Sequence, residues 1–162
     1  GRHYIRPYFI TTVGCKNVFV EGVTLKNGPM WNIVPVYCDG VVIRGVSIDS
    51  RGVVNGDGVN IESSRNVLVE YCRTRTGDDC FALKAGRNAD GLRTARPVEN
   101  VVMRHNEAQS GFGGITFGSE TAGTIRNIHI HDCVFENVRH AAYFKTRRPR
   151  GGGGHNILIE RI

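Results

Sequence analysis

Six short segments of this chain carry one pattern, and that repetition limits the fold more than any other feature. Cys15-Lys16-Asn17-Val18-Phe19-Val20-Glu21 aligns with Cys38-Asp39-Gly40-Val41-Val42-Ile43-Arg44 and Ser64-Arg65-Asn66-Val67-Leu68-Val69-Glu70. Val98-Glu99-Asn100-Val101-Val102-Met103-Arg104, Ile125-Arg126-Asn127-Ile128-His129-Ile130-His131 and Gly154-His155-Asn156-Ile157-Leu158-Ile159-Glu160 continue the series. Each holds an asparagine, once a glycine, then three β-formers and a polar residue. The anchors Asn17, Gly40, Asn66, Asn100, Asn127 and Asn156 are 23, 26, 34, 27 and 29 residues apart. A second short strand follows most copies, as in Gly22-Val23-Thr24-Leu25, Gly45-Val46-Ser47-Ile48 and Cys133-Val134-Phe135. A third lies in Val59-Asn60-Ile61, Phe81-Ala82-Leu83, Ile115-Thr116-Phe117 and Tyr143-Phe144-Lys145.

Alternation at period two and β-branched enrichment mark these as strands, and no window of ten or more residues carries a helical stripe. Three short strands in each repeat of about 25 residues predict an all-β fold, a parallel β-helix whose coils stack. A β-sandwich also has many short strands, but would not return an asparagine at one phase of every unit. Asparagine tolerates the left-handed backbone of a sharp corner, and stacked amides hydrogen-bond along the axis. At 162 residues and 40% hydrophobic composition the chain is expected to form one domain over 1–162, of about six coils. The repeats reach both ends, with Ile162 inside one, so the expectation is a fragment of a longer helix lacking its terminal caps.

Stacking also accounts for residues that resemble sites. Cys15 and Cys38 are equivalent on successive coils, as Cys72 and Cys133 are on coils further apart. With Cys80 they make five, an odd count without a C-x-x-C pair, so buried thiols are expected rather than a metal site or disulfide framework. His129 and His131 alternate on one strand without a third ligand and are expected as surface or ladder residues. No apolar run spans a membrane, and Gly1-Arg2-His3-Tyr4 leads into strand-like sequence without a signal peptide pattern. The formal charge of +6 favours a polyanionic partner: nucleic acid, an anionic lipid surface or an acidic polysaccharide. Nucleic acid has only that charge and one Arg/Gly-rich loop in its favour, so it is not expected.

The chemistry concentrates in Thr76-Gly77-Asp78-Asp79-Cys80. Asn55-Gly56-Asp57-Gly58 places Asp57 22 residues before Asp79, close to one coil, which in a solenoid is about 5 Å in space. Successive strand residues face opposite ways, so both Asp78 and Asp79 reach one face only if the chain bends, as Gly77 permits. Each like-charge contact within ~5 Å costs ~3 kcal/mol at an effective dielectric of ~20, or ~2 pKa units. One carboxyl is then expected to keep its proton near neutral pH while the others stay anionic. That division suits an inverting glycosidase, in which one acid protonates the leaving oxygen and carboxylates activate water. A solvated acidic turn or a calcium site would also use such residues.

These motifs, in this order, resemble the polygalacturonase family of glycoside hydrolases (family 28), particularly its bacterial members. The family pattern N-x-D, G-D-D, G-H-G and R-I-K appears here as Asn55-Gly56-Asp57, Gly77-Asp78-Asp79, Gly111-Phe112-Gly113 and Tyr143-Phe144-Lys145. Pro29-Met30-Trp31, Ile61-Glu62-Ser63-Ser64-Arg65-Asn66-Val67, Lys84-Ala85-Gly86-Arg87-Asn88-Ala89-Asp90-Gly91 and Gly114-Ile115-Thr116-Phe117-Gly118-Ser119-Glu120 extend the likeness over nearly the whole chain. The resemblance implies a right-handed, single-stranded parallel β-helix and hydrolysis of galacturonic-acid linkages in pectin with inversion. It implies Asp78 as general acid, Asp57 and Asp79 activating water, Asn55 orienting groups and Lys145 holding a uronate carboxylate. It implies no metal or organic cofactor, a monomer acting on an acidic pectic polysaccharide outside the cytoplasm (extracellular or periplasmic), and no membrane or nucleic-acid partner.

Two positions depart from the family. Phe112 replaces the histidine and Tyr143 the arginine, leaving Lys145 alone with two aromatic rings. Aromatic faces suit the apolar side of a sugar such as rhamnose better than a carboxylate. A rhamnogalacturonan-type substrate is therefore expected before plain homogalacturonan. Arg147, Arg148 and Arg150 beside Lys145 suit an acidic polymer, although a solvated loop fits them equally well. The insertion from Arg87 to Arg96 favours a partly closed, exo-acting cleft. Two alternatives stay open: a polysaccharide lyase on the same fold, with aspartates binding calcium, and a non-catalytic glycan-binding β-helix.

Overall fold

The computed structural model describes residues 6–110 and 112–162, so the strand-like opening at Gly1-Arg2-His3-Tyr4 and Gly111 of the third motif lie outside it. The described chain is an all-β parallel solenoid of about six turns, built from three sheets. The first sheet stacks Ile10–Val13, Ile33–Val36, Val59–Glu62, Phe81–Lys84, Gly113–Gly118 and His140–Lys145 in chain order. The second stacks Lys16–Glu21, Asp39–Arg44, Arg65–Glu70, Val98–Arg104, Ile125–His131 and Gly154–Glu160, the six repeats read from the sequence. The third stacks Thr24–Lys26, Ser47–Ser50, Arg73–Thr76, Glu107–Ser110 and Val134–Glu136. All described pairings are parallel and in register, with each strand bonded to the equivalent strand of the next coil.

The anchors explain why the chain turns where it does. Asn17, Asn66, Asn100, Asn127 and Asn156 all take φ between 53° and 56°, and Gly40 takes 74°. Asparagine reaches this left-handed region at less cost than other side chains. Its side chain then stacks. Asn156 Nδ2 donates to Asn127 Oδ1 at 2.8 Å, Asn127 to Asn100 at 3.1 Å and Asn100 to Asn66 at 3.1 Å. Where Gly40 breaks the ladder, Asn66 Nδ2 donates instead to Asp39 Oδ1 at 2.7 Å.

Inward residues form parallel ladders such as Ile43, Val69, Met103 and Ile130, each almost fully buried. Burying a side chain of this size stabilises by about 1.5–3 kcal/mol. Cys38, Cys72, Cys80 and Cys133 are buried free thiols, and Asn106 is the rung between Cys72 and Cys133. Cys15 departs from the expectation and is exposed. Among the described residues it stacks only on Cys38, and it lies just before Lys16–Glu21, the edge strand of the second sheet. Phe144 extends the inner ladder by stacking on Phe117 at 4.5 Å, yet is 55% exposed because its strand is the other edge of the first sheet. His129 and His131 face outward, paired with Glu160 at 3.0 Å and Asp132 at 2.6 Å. Among the described residues no helix is long and apolar enough to cross a membrane.

The insertion holds one short helix, Asn88–Thr94, which packs against a turn of 3-10 helix at Arg148–Arg150.

The corner ladder predicts that Asn100→Ala lowers stability by about 1–2 kcal/mol, because alanine keeps the β-carbon in the left-handed region but loses the side-chain hydrogen bonds that offset its cost. Asn100→Gly should cost less. Urea unfolding of both variants checks the order, and equal losses would show that the side-chain bonds matter more than the backbone.

Candidate active site

The aspartates lie in corners that feed the first sheet. Arg73–Thr76 ends one strand and Phe81–Lys84 begins the next, so Gly77, Asp78, Asp79 and Cys80 form the bend between them. The bend expected at Gly77 is present, and close approach requires the glycine. A Cβ there would stand 2.7 Å from the Val53 carbonyl oxygen and 3.0 Å from that of Arg51. Asp57 occupies the equivalent corner one coil earlier. Gly58 N–H donates to the Asp79 carbonyl at 2.9 Å, which sets Asp57 on the same rung as Asp79. Trp31 precedes them on that rung, through Asn32 N–H on the Asp57 carbonyl at 3.0 Å, and Gly113 follows, through Cys80 N–H on its carbonyl at 2.8 Å. A Cβ on Gly113 would meet Asp79 Oδ1 at 2.6 Å, so the glycine makes room for the carboxylate.

Asp78 is half-buried and held through both oxygens. Oδ1 accepts the Asp79 backbone N–H at 3.0 Å, and Oδ2 accepts the Asn55 amide at 3.3 Å. Arg6 donates to Asn55 Oδ1 at 3.1 Å, which orients that amide with its nitrogen toward Asp78. Arg6 also bonds the carbonyls of Val54 and Pro29, at 2.6 and 3.0 Å. Behind the pair, the Asp78 carbonyl accepts the hydroxyls of Thr76, at 2.7 Å, and Ser110.

Asp79 is buried. Its Oδ1 accepts the Thr116 hydroxyl at 2.6 Å, and Lys145 Nζ stands 3.8 Å from its Oδ2. Asp57 is 2% exposed, and its Oδ1 has no hydrogen-bond partner among the described residues. Burial pushes its carboxyl up to about 7; the Lys84 ammonium opposes the rise, while Asp78 and Asp79 add to it. Asp79 is raised too, again chiefly by burial, against the Thr116 hydrogen bond and Lys145. One expectation needs correcting here. The trio does favour a retained proton, but desolvation exceeds like-charge repulsion as the cause, and it acts on the two members set deepest.

Phe112, Tyr143 and Lys145 come together as expected. Phe112 meets Tyr143 edge-on at 5.7 Å, and Lys145 Nζ lies 4.9 Å from the centre of the Phe112 ring. Tyr143 pairs with Thr116 across the sheet, so its strand is shifted by one residue from the alignment drawn on sequence. His140 joins the cluster unannounced, stacked on Tyr143 at 4.6 Å and edge-on to Phe112 at 5.8 Å.

Three more residues escaped the motif search: Asn60, Thr116 and Lys84. Lys84 is buried, with Nζ 3.1 Å from the Gly118 carbonyl, 3.4 Å from Glu120 and 4.6 Å from the centre of the Trp31 ring. The signal was the strand register: Asn60, Ala82, Thr116 and Tyr143 share one outward rung, and Lys84 pairs with Glu62 two residues further on. The arginine loop is only partly free. Arg150 pairs with Glu120 at 3.3 Å, and the Gly151 carbonyl accepts the Thr121 hydroxyl at 2.9 Å, whereas Arg147 and Arg148 are exposed. Among the described residues no group of three or more His, Cys, Asp or Glu side chains is arranged to hold a metal ion. The arrangement offers one half-exposed carboxyl beside two buried ones, flanked by an ammonium and a set of rings. That is equipment for moving protons on either side of a bond.

Comparison with known proteins agrees in both sequence and fold. The family model described as glycosyl hydrolases family 28 matches residues 2–160. A protein described as a probable polygalacturonase from Vitis vinifera is 34% identical over 158 residues, covering 96% of this chain and 32% of that protein. The crystal structure of a hyperthermoactive exopolygalacturonase from Thermotoga maritima superposes with a TM-score of 0.92 at 44% identity, covering 95% of this chain and 35% of that one. A family 28 exopolygalacturonase from Yersinia enterocolitica gives a TM-score of 0.88 at 28% identity, covering 93% and 26%. The chain spans about a third of the length of the curated relatives it matches.

The buried Asp57 makes stability depend on pH. Below the unfolded value of 3.8 both states carry the proton. As pH rises from there to about 7 the unfolded chain ionises first, so native stability falls, with the full penalty present above about 7. Three pKa units set that penalty at up to about 4 kcal/mol. Asp57→Asn should therefore raise the thermal midpoint little at about pH 4 and most at about pH 8. A gain independent of pH, read by calorimetry, would contradict the placement of the charge.

Proposed function

The chain belongs to glycosyl hydrolase family 28, and on that premise we propose that it hydrolyses galacturonic-acid linkages in pectin with inversion at the anomeric carbon. The observation that carries this reading is the gathering of Asp57, Asp78 and Asp79 at one corner of the first sheet, with Lys145 3.8 Å from Asp79. Asp78 gives its proton to the glycosidic oxygen as the bond to the anomeric carbon breaks. Asp57 and Asp79 take a proton from water, whose oxygen forms the new bond on the opposite face. Thr116, Lys145 and Lys84 favour the anions of the buried pair, as their effects on Asp79 and Asp57 indicate. Asn55 and Arg6 hold Asp78 toward the substrate. Lys145 takes a uronate carboxylate.

The sugar on the leaving side is where this chain differs from the family pattern. Phe112, Tyr143 and His140 form an aromatic wall where the family pattern has a histidine and an arginine. Such a wall favours a deoxysugar face over a second carboxylate, so rhamnogalacturonan-type pectin is the better substrate. The insertion helix Asn88–Thr94, packed on the turn at Arg148–Arg150, and the description of both solved relatives as exopolygalacturonases support action from a chain end. The relatives' descriptions as polygalacturonases support action at an extracellular or periplasmic site.

Asp78→Asn in the full-length protein should lower the release of reducing ends by about 10²–10⁴-fold while leaving pectin binding intact. Unchanged release would remove Asp78 from the chemistry. Initial rates on rhamnogalacturonan oligomers should exceed those on polygalacturonate, and Tyr143→Arg should narrow the gap. Faster turnover of polygalacturonate by the parent would overturn the leaving-side reading while keeping the hydrolase.

A further inference from the structure

Four buried side-chain polar atoms lack a hydrogen-bond partner among the described residues, and three of them belong to two neighbours in the site. They are Asp57 Oδ1 and both polar atoms of the Asn60 amide; the fourth is Arg150 Nε, far along the chain. Asn60 is fully buried on the outward rung of the first sheet, next to Ala82 and two coils from Thr116. Its amide stands close enough to Asp57 to favour the anion, without the alignment of a direct hydrogen bond. An unpaired buried polar group costs about 1–3 kcal/mol, and an apolar side chain at this position would avoid the cost. Ala82, the smallest side chain on the rung, sits between Asn60 and Thr116, and Thr116 holds Asp79. The unsatisfied atoms of Asp57 and Asn60 therefore lie together in the buried part of the site, with Thr116, which holds Asp79, two coils along the same rung as Asn60.

We propose that Asn60 is a positioning residue for the reacting water, an inference that rests on the hydrolase reading above. The amide N–H donates to one lone pair of the water oxygen. Asp57 Oδ1 accepts the proton that leaves, and the second lone pair forms the bond to the anomeric carbon. The glycosidic oxygen departs with the proton from Asp78, so protons and electron pairs balance. An amide suits this place because it offers a donor without adding a fourth carboxylate to the group.

The test uses Asn60→Leu, which keeps the branching and heavy-atom count, and Asn60→Ala, which avoids overpacking, both in the full-length protein. The expected result is a fall in kcat of about 10–100-fold with KM nearly unchanged. The thermal midpoint of Asn60→Leu should hold or rise, since the amide has no hydrogen-bond partner among the described residues. Unchanged kcat in both variants overturns the inference and leaves the hydrolase reading standing. A lowered midpoint in both variants overturns it as well, because it would show the amide bonded within the fold. If the parent itself releases no reducing ends from any pectic substrate, the hydrolase reading falls and the inference falls with it.

Discussion

In-register stacking of coils is the constraint on which the rest of this structure depends. A left-handed residue near the start of each strand of the second sheet turns the chain at the same phase, from Asn17 to Asn156. Because each strand pairs with its equivalent one coil away, residues far apart in sequence become neighbours without any specific contact between them. Asp57 and Asp79 share a rung for that reason, as do Asn60, Ala82, Thr116 and Tyr143. The same device builds the charge ladder of the second sheet, where Glu70 sits between Arg44 and Arg104 at 2.7 Å from each. Outward charges alternate along the stack because like charges directly opposite would repel.

The site uses this regularity and departs from it at the corners. Regular strands would send Asp78 and Asp79 to opposite faces; the bend at Gly77 keeps them together, and Gly113 opens space for Asp79. The resulting environments differ. Asp78 stays half-exposed with both oxygens accepting hydrogen bonds, while Asp57 and Asp79 are set into the outer face of the first sheet. Burial raises the latter two, and the ammonium groups of Lys84 and Lys145 partly offset it.

The solenoid and its phase were legible in the sequence, because the corner asparagine and the alternating strand are local patterns repeated six times. The carboxylate trio was legible from coil length alone. The rest depended on register and coverage, which local pattern does not carry. Aligning Tyr143 one residue out of register hid its pairing with Thr116. Asn60 and Lys84 looked like ordinary outward strand positions, and their burial arises from what lies over the sheet, including Trp31 against Lys84 and Tyr8 stacked on Trp31 at 5.0 Å. The cause of the carboxyl shifts differs from the expected repulsion for the same reason: spacing shows how near the charges are, not how dry. Cys15 followed the ladder pattern and is exposed beside the edge strand of the described residues.

The central claim is that water enters from the side of Asp57 and Asp79 while Asp78 protonates the opposite side of the bond. Proton NMR of the first-formed product, followed in real time on a defined pectic oligosaccharide, tests it most directly. An α-linked galacturonide should release the β-anomer before mutarotation sets in. Initial release of the α-anomer, or of an unsaturated sugar, would contradict the account.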